Sequence, residues 1–169
     1  MLSAPIPKNE QERLKSLKNM GILDTTPEPR FDRFTKQATE LLHMPISTIS
    51  IIDSDREWYK SCHGMKEREG KRDVSFCGHA MLQHEIFIVE NTLNDERFKD
   101  NPMVTGPSHI RFYAGVSLHN AEGFPVGVLC VKDVVPRRFT MSDQTVLIDL
   151  AAKVEKELLL PANRNYIKN

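Results

Sequence analysis

The sequence predicts an α+β domain built on a mostly antiparallel sheet. Three observations predict it. Strand-like runs come in pairs separated by only a few residues, 46–53 with 58–64 and 112–119 with 124–133, as antiparallel hairpins require. Runs with helical periodicity sit mainly at the two ends of the chain. The regular βαβα alternation of a parallel doubly wound sheet is missing.

Composition bounds the rest. The chain has 169 residues, which suits one domain. Its 23 basic and 23 acidic residues cancel, so no charge footprint for nucleic acid or an anionic membrane is expected. No run approaches the roughly 20 apolar residues of a membrane span. Three cysteines, Cys62, Cys77 and Cys130, are too few and scattered for a disulfide framework. The start, MLSAPIPKNEQERLK, lacks the apolar stretch of a signal peptide. The expected compartment is therefore the reducing cytoplasm.

The elements follow in order. Residues 1–8 are proline-rich and are expected to be loose. Asn9 and Glu12 fit a capping box for a first helix, which carries Leu14, Leu17 and Met20 on one stripe and stops at Gly21. That narrow stripe makes the helix a candidate for partner contact. Thr26-Pro27 is expected to open a second helix with Pro27 at its first position. Phe31, Phe34, Ala38, Leu41 and Leu42 form its buried face, and Pro45 ends it.

ISTISIID, 46–53, alternates apolar with small polar residues and reads as a strand with one wetter face. DSDRE turns the chain into the returning strand WYKSCHG. MKEREGKRD, 65–73, mixes both charge signs and reads as a solvated loop. Ser75 caps a short helix from Phe76 to about Gln83. IFIVEN, 86–91, is a further strand, and 93–110 is a helical turn followed by a long loop. FYAGVSLH and FPVGVLCVKD form the last hairpin, the second strand apolar on both faces and so central. Thr140 and Asp143 form a capping box for a final helix with Leu147, Leu150, Ala151, Val154 and Leu158 on one stripe.

Six stretches carry a family resemblance in family order: 21–38, 49–64, 74–82, 95–118, 123–133 and 139–151. Together they resemble a GAF domain, the PAS-like sensory module found beside bacterial histidine kinase and diguanylate cyclase domains. The resemblance divides the chain into an N-terminal tail and helix (1–20), the GAF domain (21–160) and a tail (161–169). It implies a central antiparallel sheet of five to six strands, with the N- and C-terminal helices on one face. On the other face it implies a ligand pocket closed by the short helix and the long loop. It further implies a homodimer through the terminal helices. No output domain follows in this sequence, so the expected signal passes through a protein partner or dimer geometry.

Departures from the family narrow the ligand. Phe98 is followed by Lys99, Asp100, Asn101 and Pro102, which breaks the Phe-x-x-x-Asp-Glu pattern of cyclic-nucleotide-binding members. Cys62-His63 matches the dipeptide that anchors bilins, but it falls on a strand without the surrounding motifs. Free-methionine-sulfoxide reductases share the fold, yet their sequence context is missing around Cys77 and Cys130.

The candidate pocket residues are Phe76, Cys77, Phe98, His109, Arg111 and Tyr113. Arg111 suits a carboxylate or phosphate, the alternative being an ion pair with Asp95, Glu96 or Asp100. Cys77 and His79, two apart on a helix, point about 200° from each other. That geometry disfavours both a nucleophilic pair and, with His84, a zinc site. No metal, cofactor or catalytic residue is assigned. The expected function is a non-enzymatic sensory or regulatory domain that binds a small molecule. Two alternatives stand beside it: a thiol redox enzyme or sensor using Cys77, with Cys130 as resolving thiol, and a ligand-free interaction module.

Overall fold

A computed structural model describes residues 1–160. The element order is α1 (Glu10–Met20), α2 (Pro29–Leu42), β1 (Ile46–Ile52), β2 (Arg56–His63), β3 (Glu69–Lys71), α3 (Phe76–Ala80), β4 (Phe87–Val89), α4 (Pro102–Thr105), β5 (Phe112–His119), β6 (Pro125–Asp133) and α5 (Met141–Leu159), with a 3-10 turn at Thr92–Asn94. The six strands form one sheet in the order β3-β2-β1-β6-β5-β4, every pair antiparallel. The α+β class and the six-stranded sheet are as the sequence led us to expect. The tail expected at 161–169 lies outside the described residues.

The strand β6 is central because VGVLCV buries both faces, and β1 beside it is buried at all seven positions. The wetter face expected for β1 is therefore not wet. Thr48 and Ser50 point into a second core and satisfy their hydroxyls there. A bulge opposite Ile49 and Ser50 sets Ser61 on the same side of β2 as Lys60. Lys60 then reaches Glu28 at 2.8 Å, and Ser61 donates to Asp32 at 2.7 Å, so both tie the sheet to α2.

Two cores lie on opposite faces. The larger holds Leu17, Phe31, Phe34, Ala38, Ile49, Ile51, Trp58, Leu129 and the α5 stripe Leu147, Leu150, Ala151 and Val154. Here α5 packs along α2 and over β5 and β6. Leu17 is fully buried in this core, so α1 is docked on its own domain. Leu41, expected inside, is exposed on the outer side of α2.

Several boundaries move for identifiable reasons. The second helix begins at Pro29, two residues after Pro27, because each proline holds the preceding residue extended; Glu28 has φ −131° and ψ 132°. Asn9 is not in an extended cap conformation, and its side chain makes no cap bond. Glu10 is instead drawn to Arg13 and Arg72. The Thr140–Asp143 capping box of α5 forms both of its bonds. The charged stretch 65–73 contains the edge strand β3, and its Arg72 is buried. The short helix α3 stops at Ala80.

Residues 2–4 are held rather than loose. Leu2 N–H donates to Arg97 O and Ala4 N–H to Asp73 O, so the segment straps across α3. Ala4 lies so close to Gly78 that a Cβ added there would meet it at 2.6 Å. Among the described residues no helix is long and apolar enough to cross a membrane.

Candidate functional site

The face opposite α2 and α5 carries the second core, roofed by α3, α4 and the strap. Ser75 starts α3 by accepting from Gly78 N–H at 2.6 Å, which aims Phe76 and Cys77 inward. The Phe76 ring lies between Phe98 and Tyr113, with centroids 4.3 Å and 5.2 Å away. Phe87 packs edge-on to both of these partners. The space in which the sequence placed a pocket is packed with these rings. A groove lies elsewhere, between the ends of α1 and α5, and involves Met20, Ile22, Phe31 and Leu158.

Of the six candidate residues, the structure brings four together. Phe76, Cys77, Phe98 and Tyr113 are all buried in one cluster, and Tyr113 OH donates to Cys77 Sγ at 3.1 Å. That contact depends on Gly115: a Cβ there would meet Tyr113 OH at 2.4 Å. His109 stands apart, exposed in a left-handed turn at φ 48°. Arg111 donates to the carbonyls of Val104 and Ile110, tying α4 to β5. The three acids expected as its alternative partners are engaged elsewhere: Asp95 pairs with Arg97 at 2.7 Å, Glu96 with Lys99 at 2.7 Å and Asp100 with the Met1 amine at 2.6 Å.

Beneath the rings runs a polar seam whose members are far apart in the sequence. Cys130 Sγ lies 3.0 Å from Thr48 Oγ1, Thr48 Oγ1 lies 2.7 Å from Ser50 Oγ, and Cys77 Sγ donates to Ser50 Oγ at 3.5 Å. Farther along, Tyr59 OH donates to Glu57 Oε1 at 2.8 Å, and Lys132 Nζ stands 6.0 Å from the Tyr59 ring centre. Glu57 and Lys132 are each 1 % exposed, and Glu57 Oε2 has no hydrogen-bond partner among the described residues. The one available signal was Cys130 and Lys132 at i, i+2 on a central strand, which places both on one face.

The electrostatics of the seam separate its two thiols. Burial pushes the Cys77 thiol well above its ordinary value, and the neighbouring Cys130 pushes it further. Burial also pushes Cys130 up, but the Cys77 thiol, the Lys132 ammonium and the Thr48 hydroxyl outweigh it and bring Cys130 below its ordinary value. Tyr113 is driven up by burial and then by Cys77. Among the described residues no cluster of three or more His, Cys, Asp or Glu could hold a metal.

With this geometry in place, the comparisons decide the family. The sequence profile of the GAF domain matches residues 26–158. The chain belongs to the GAF domain family. Membership supports a sensory or regulatory role. The GAF domain of a phosphoenolpyruvate-protein phosphotransferase from Acinetobacter superposes with a TM-score of 0.61 at 18 % identity, covering 87 % of this chain and 92 % of that one. A free methionine-R-sulfoxide reductase from Neisseria meningitidis superposes at 0.60 with 19 % identity, covering 88 % and 87 %. At these identities the likeness is one of fold.

A nearer relative in sequence is a Pseudomonas aeruginosa protein named as a cyclic di-GMP phosphodiesterase. It is 36 % identical over 168 residues, 99 % of this chain. The chain spans 29 % of that relative's length. This GAF domain had been expected from its sequence to be non-enzymatic, and that expectation is overturned. Its curated relative carries an enzyme's name, and reductases are among its structural neighbours. The motifs that carry the resemblance specify the fold and leave the chemistry open.

Proposed function

We propose that this GAF domain is a regulatory unit of cyclic di-GMP turnover, with its α3 face as the input and α5 as the output. One observation carries the reading: end-to-end similarity to a segment of a protein named as a cyclic di-GMP phosphodiesterase. The fold suggests a route between the two faces. The strand β5 touches both α3 and α5. Its Tyr113 enters the ring cluster, while Phe112, Ala114 and Leu118 enter the core under α5. A change in ring packing therefore shifts the floor on which α5 rests.

The outer side of α5 suits a second copy. Met141, Ile148 and Leu159 are exposed, and their spacings of 7 and 11 residues align them within about 20° around the helix. Such a stripe matches the seam of paired helices.

The test is a chimera in which this chain replaces the matching segment of the Pseudomonas aeruginosa relative. The expected result is a cyclic di-GMP hydrolysis rate that differs from that of the segment-deleted enzyme and reverts toward it with Ile148→Glu. Equal rates for all three proteins would remove the reading.

A further inference from the structure

We infer that Cys77 and Cys130 form an oxidisable dithiol that closes to an intramolecular disulfide on meeting a small oxidant of the peroxide class. The inference goes beyond the regulatory reading and stands or falls without it. Its basis is placement. Cys130 lies on β6 between Thr48 of β1 and Gly115 of β5. Cys77 descends from α3 onto the same spot, held by Tyr113 OH at 3.1 Å and Ser50 Oγ at 3.5 Å. The two hydroxyls that touch the two sulfurs are themselves 2.7 Å apart. Gly115, paired with Cys130 across β5 and β6, leaves the space that the Tyr113 hydroxyl occupies as it holds Cys77.

The surroundings favour one sulfur as nucleophile. Lys132 follows Cys130 by two residues on the same face, and its ammonium favours a thiolate there. Burial and Cys130 itself keep Cys77 as the thiol. The third cysteine is placed out of reach. Cys62 and Cys130 flank Thr48 from opposite sides, two strand spacings or about 9–10 Å apart. A disulfide needs Cα atoms within about 7 Å. Cys62 donates instead to Met65 O.

The chemistry balances with peroxide as the oxidant. The Cys130 thiolate attacks one peroxide oxygen, the O–O bond breaks, and a sulfenic acid forms. The departing hydroxide takes up the proton that Cys130 gave up on ionising, and leaves as water. The Cys77 sulfur then attacks the sulfenic sulfur, the S–O bond breaks, and the S–S bond forms. The second hydroxide leaves as water with the Cys77 proton. Two thiols and one peroxide thus give one disulfide and two waters. Both sulfurs are fully buried, so a small neutral oxidant is favoured over a bulky disulfide such as oxidised glutathione.

The experiment uses the full chain, reduced and then exposed to hydrogen peroxide. Free thiols are alkylated, and intact mass and peptide maps are read. The expected result is a single alkylated cysteine, Cys62, and one linked peptide joining Cys77 to Cys130, reversed by dithiothreitol. Cys62→Ser closes at the wild-type rate. Cys77→Ser, checked for folding by circular dichroism, leaves a sulfenic acid on Cys130 that a cyclic dione traps. Three alkylatable thiols after oxidation, or a link that includes Cys62, would overturn the proposal.

Discussion

Replacing Phe76 by alanine should cost about 4 kcal/mol of stability and lower the melting temperature by roughly 10 °C. The side chain is 1 % exposed and lies between two rings, so its removal leaves a cavity that α3 is too short to collapse into. Each aromatic pair is worth about 1 kcal/mol beyond the area it buries. A domain of this kind has only about 5–15 kcal/mol in total, so the loss takes up much of its margin. Urea denaturation followed by far-ultraviolet circular dichroism reads the difference. A loss below about 1 kcal/mol would mean that water or a mobile α3 already occupies this space.

Glu10→Gln should cost about 3 kcal/mol near neutral pH, an effect out of proportion to its place on the first turn of α1. Its carboxylate lies between two guanidiniums, Arg13 at 2.9 Å and Arg72 at 2.5 Å. Arg13 is fully buried and Arg72 nearly so. Arg13 also reaches Met81 Sδ and Pro125 O, and Arg72 reaches Asp53 O, so the two cations this acid neutralises tie α1 to the rest of the domain. Neutralising it leaves two buried cations without their shared counter-ion.

The pH dependence follows from the same contacts. Burial alone would raise the Glu10 pKa, but hydrogen bonds and charges from Arg13 and Arg72 outweigh it and bring it from 4.5 to about 2. A carboxyl held low in the folded state stabilises the fold above its unfolded value. That stabilisation fades as pH falls from about 5 toward 2. Wild type should therefore lose stability over this range more steeply than Glu10→Gln. Parallel acid limbs for the two proteins would assign the acid sensitivity to other groups.

The parts of this molecule legible in the sequence are those governed by local rules. Strand β5 was read at its observed ends, because FYAGVSLH alternates cleanly and is bounded by turn residues. The Thr140–Asp143 box was read because both of its bonds lie within one turn. Edge strand β3 is not legible because Glu69, Gly70 and Lys71 carry no apolar signal; they join β2 through backbone pairing and the ion pair of Glu69 with Arg56 at 3.0 Å. Arg13, Arg72, Glu57 and Lys132 were missed as interior groups for a related reason. Whether a charge is buried depends on partners distant in sequence, such as Glu10 and Arg72, which are 62 residues apart.

The candidate site divides along the same line. Phe76, Cys77, Phe98 and Tyr113 were named from sequence, and they meet in the fold. The residues that set the chemistry between them, Thr48, Ser50 and Lys132, were read only as parts of strands. Their role depends on β1, β5 and β6 lying side by side, which is a property of sheet order.

Regulation through this domain requires that the α3 face be coupled to α5 through β5. Amide hydrogen exchange on Phe76→Leu, a milder change than alanine, measures it directly. Coupling through β5 predicts faster exchange across 141–159 as well as in α3, with Leu41→Ala on the exposed side of α2 leaving both unchanged. Faster exchange confined to α3 and β4, with 141–159 at the wild-type rate, would contradict it.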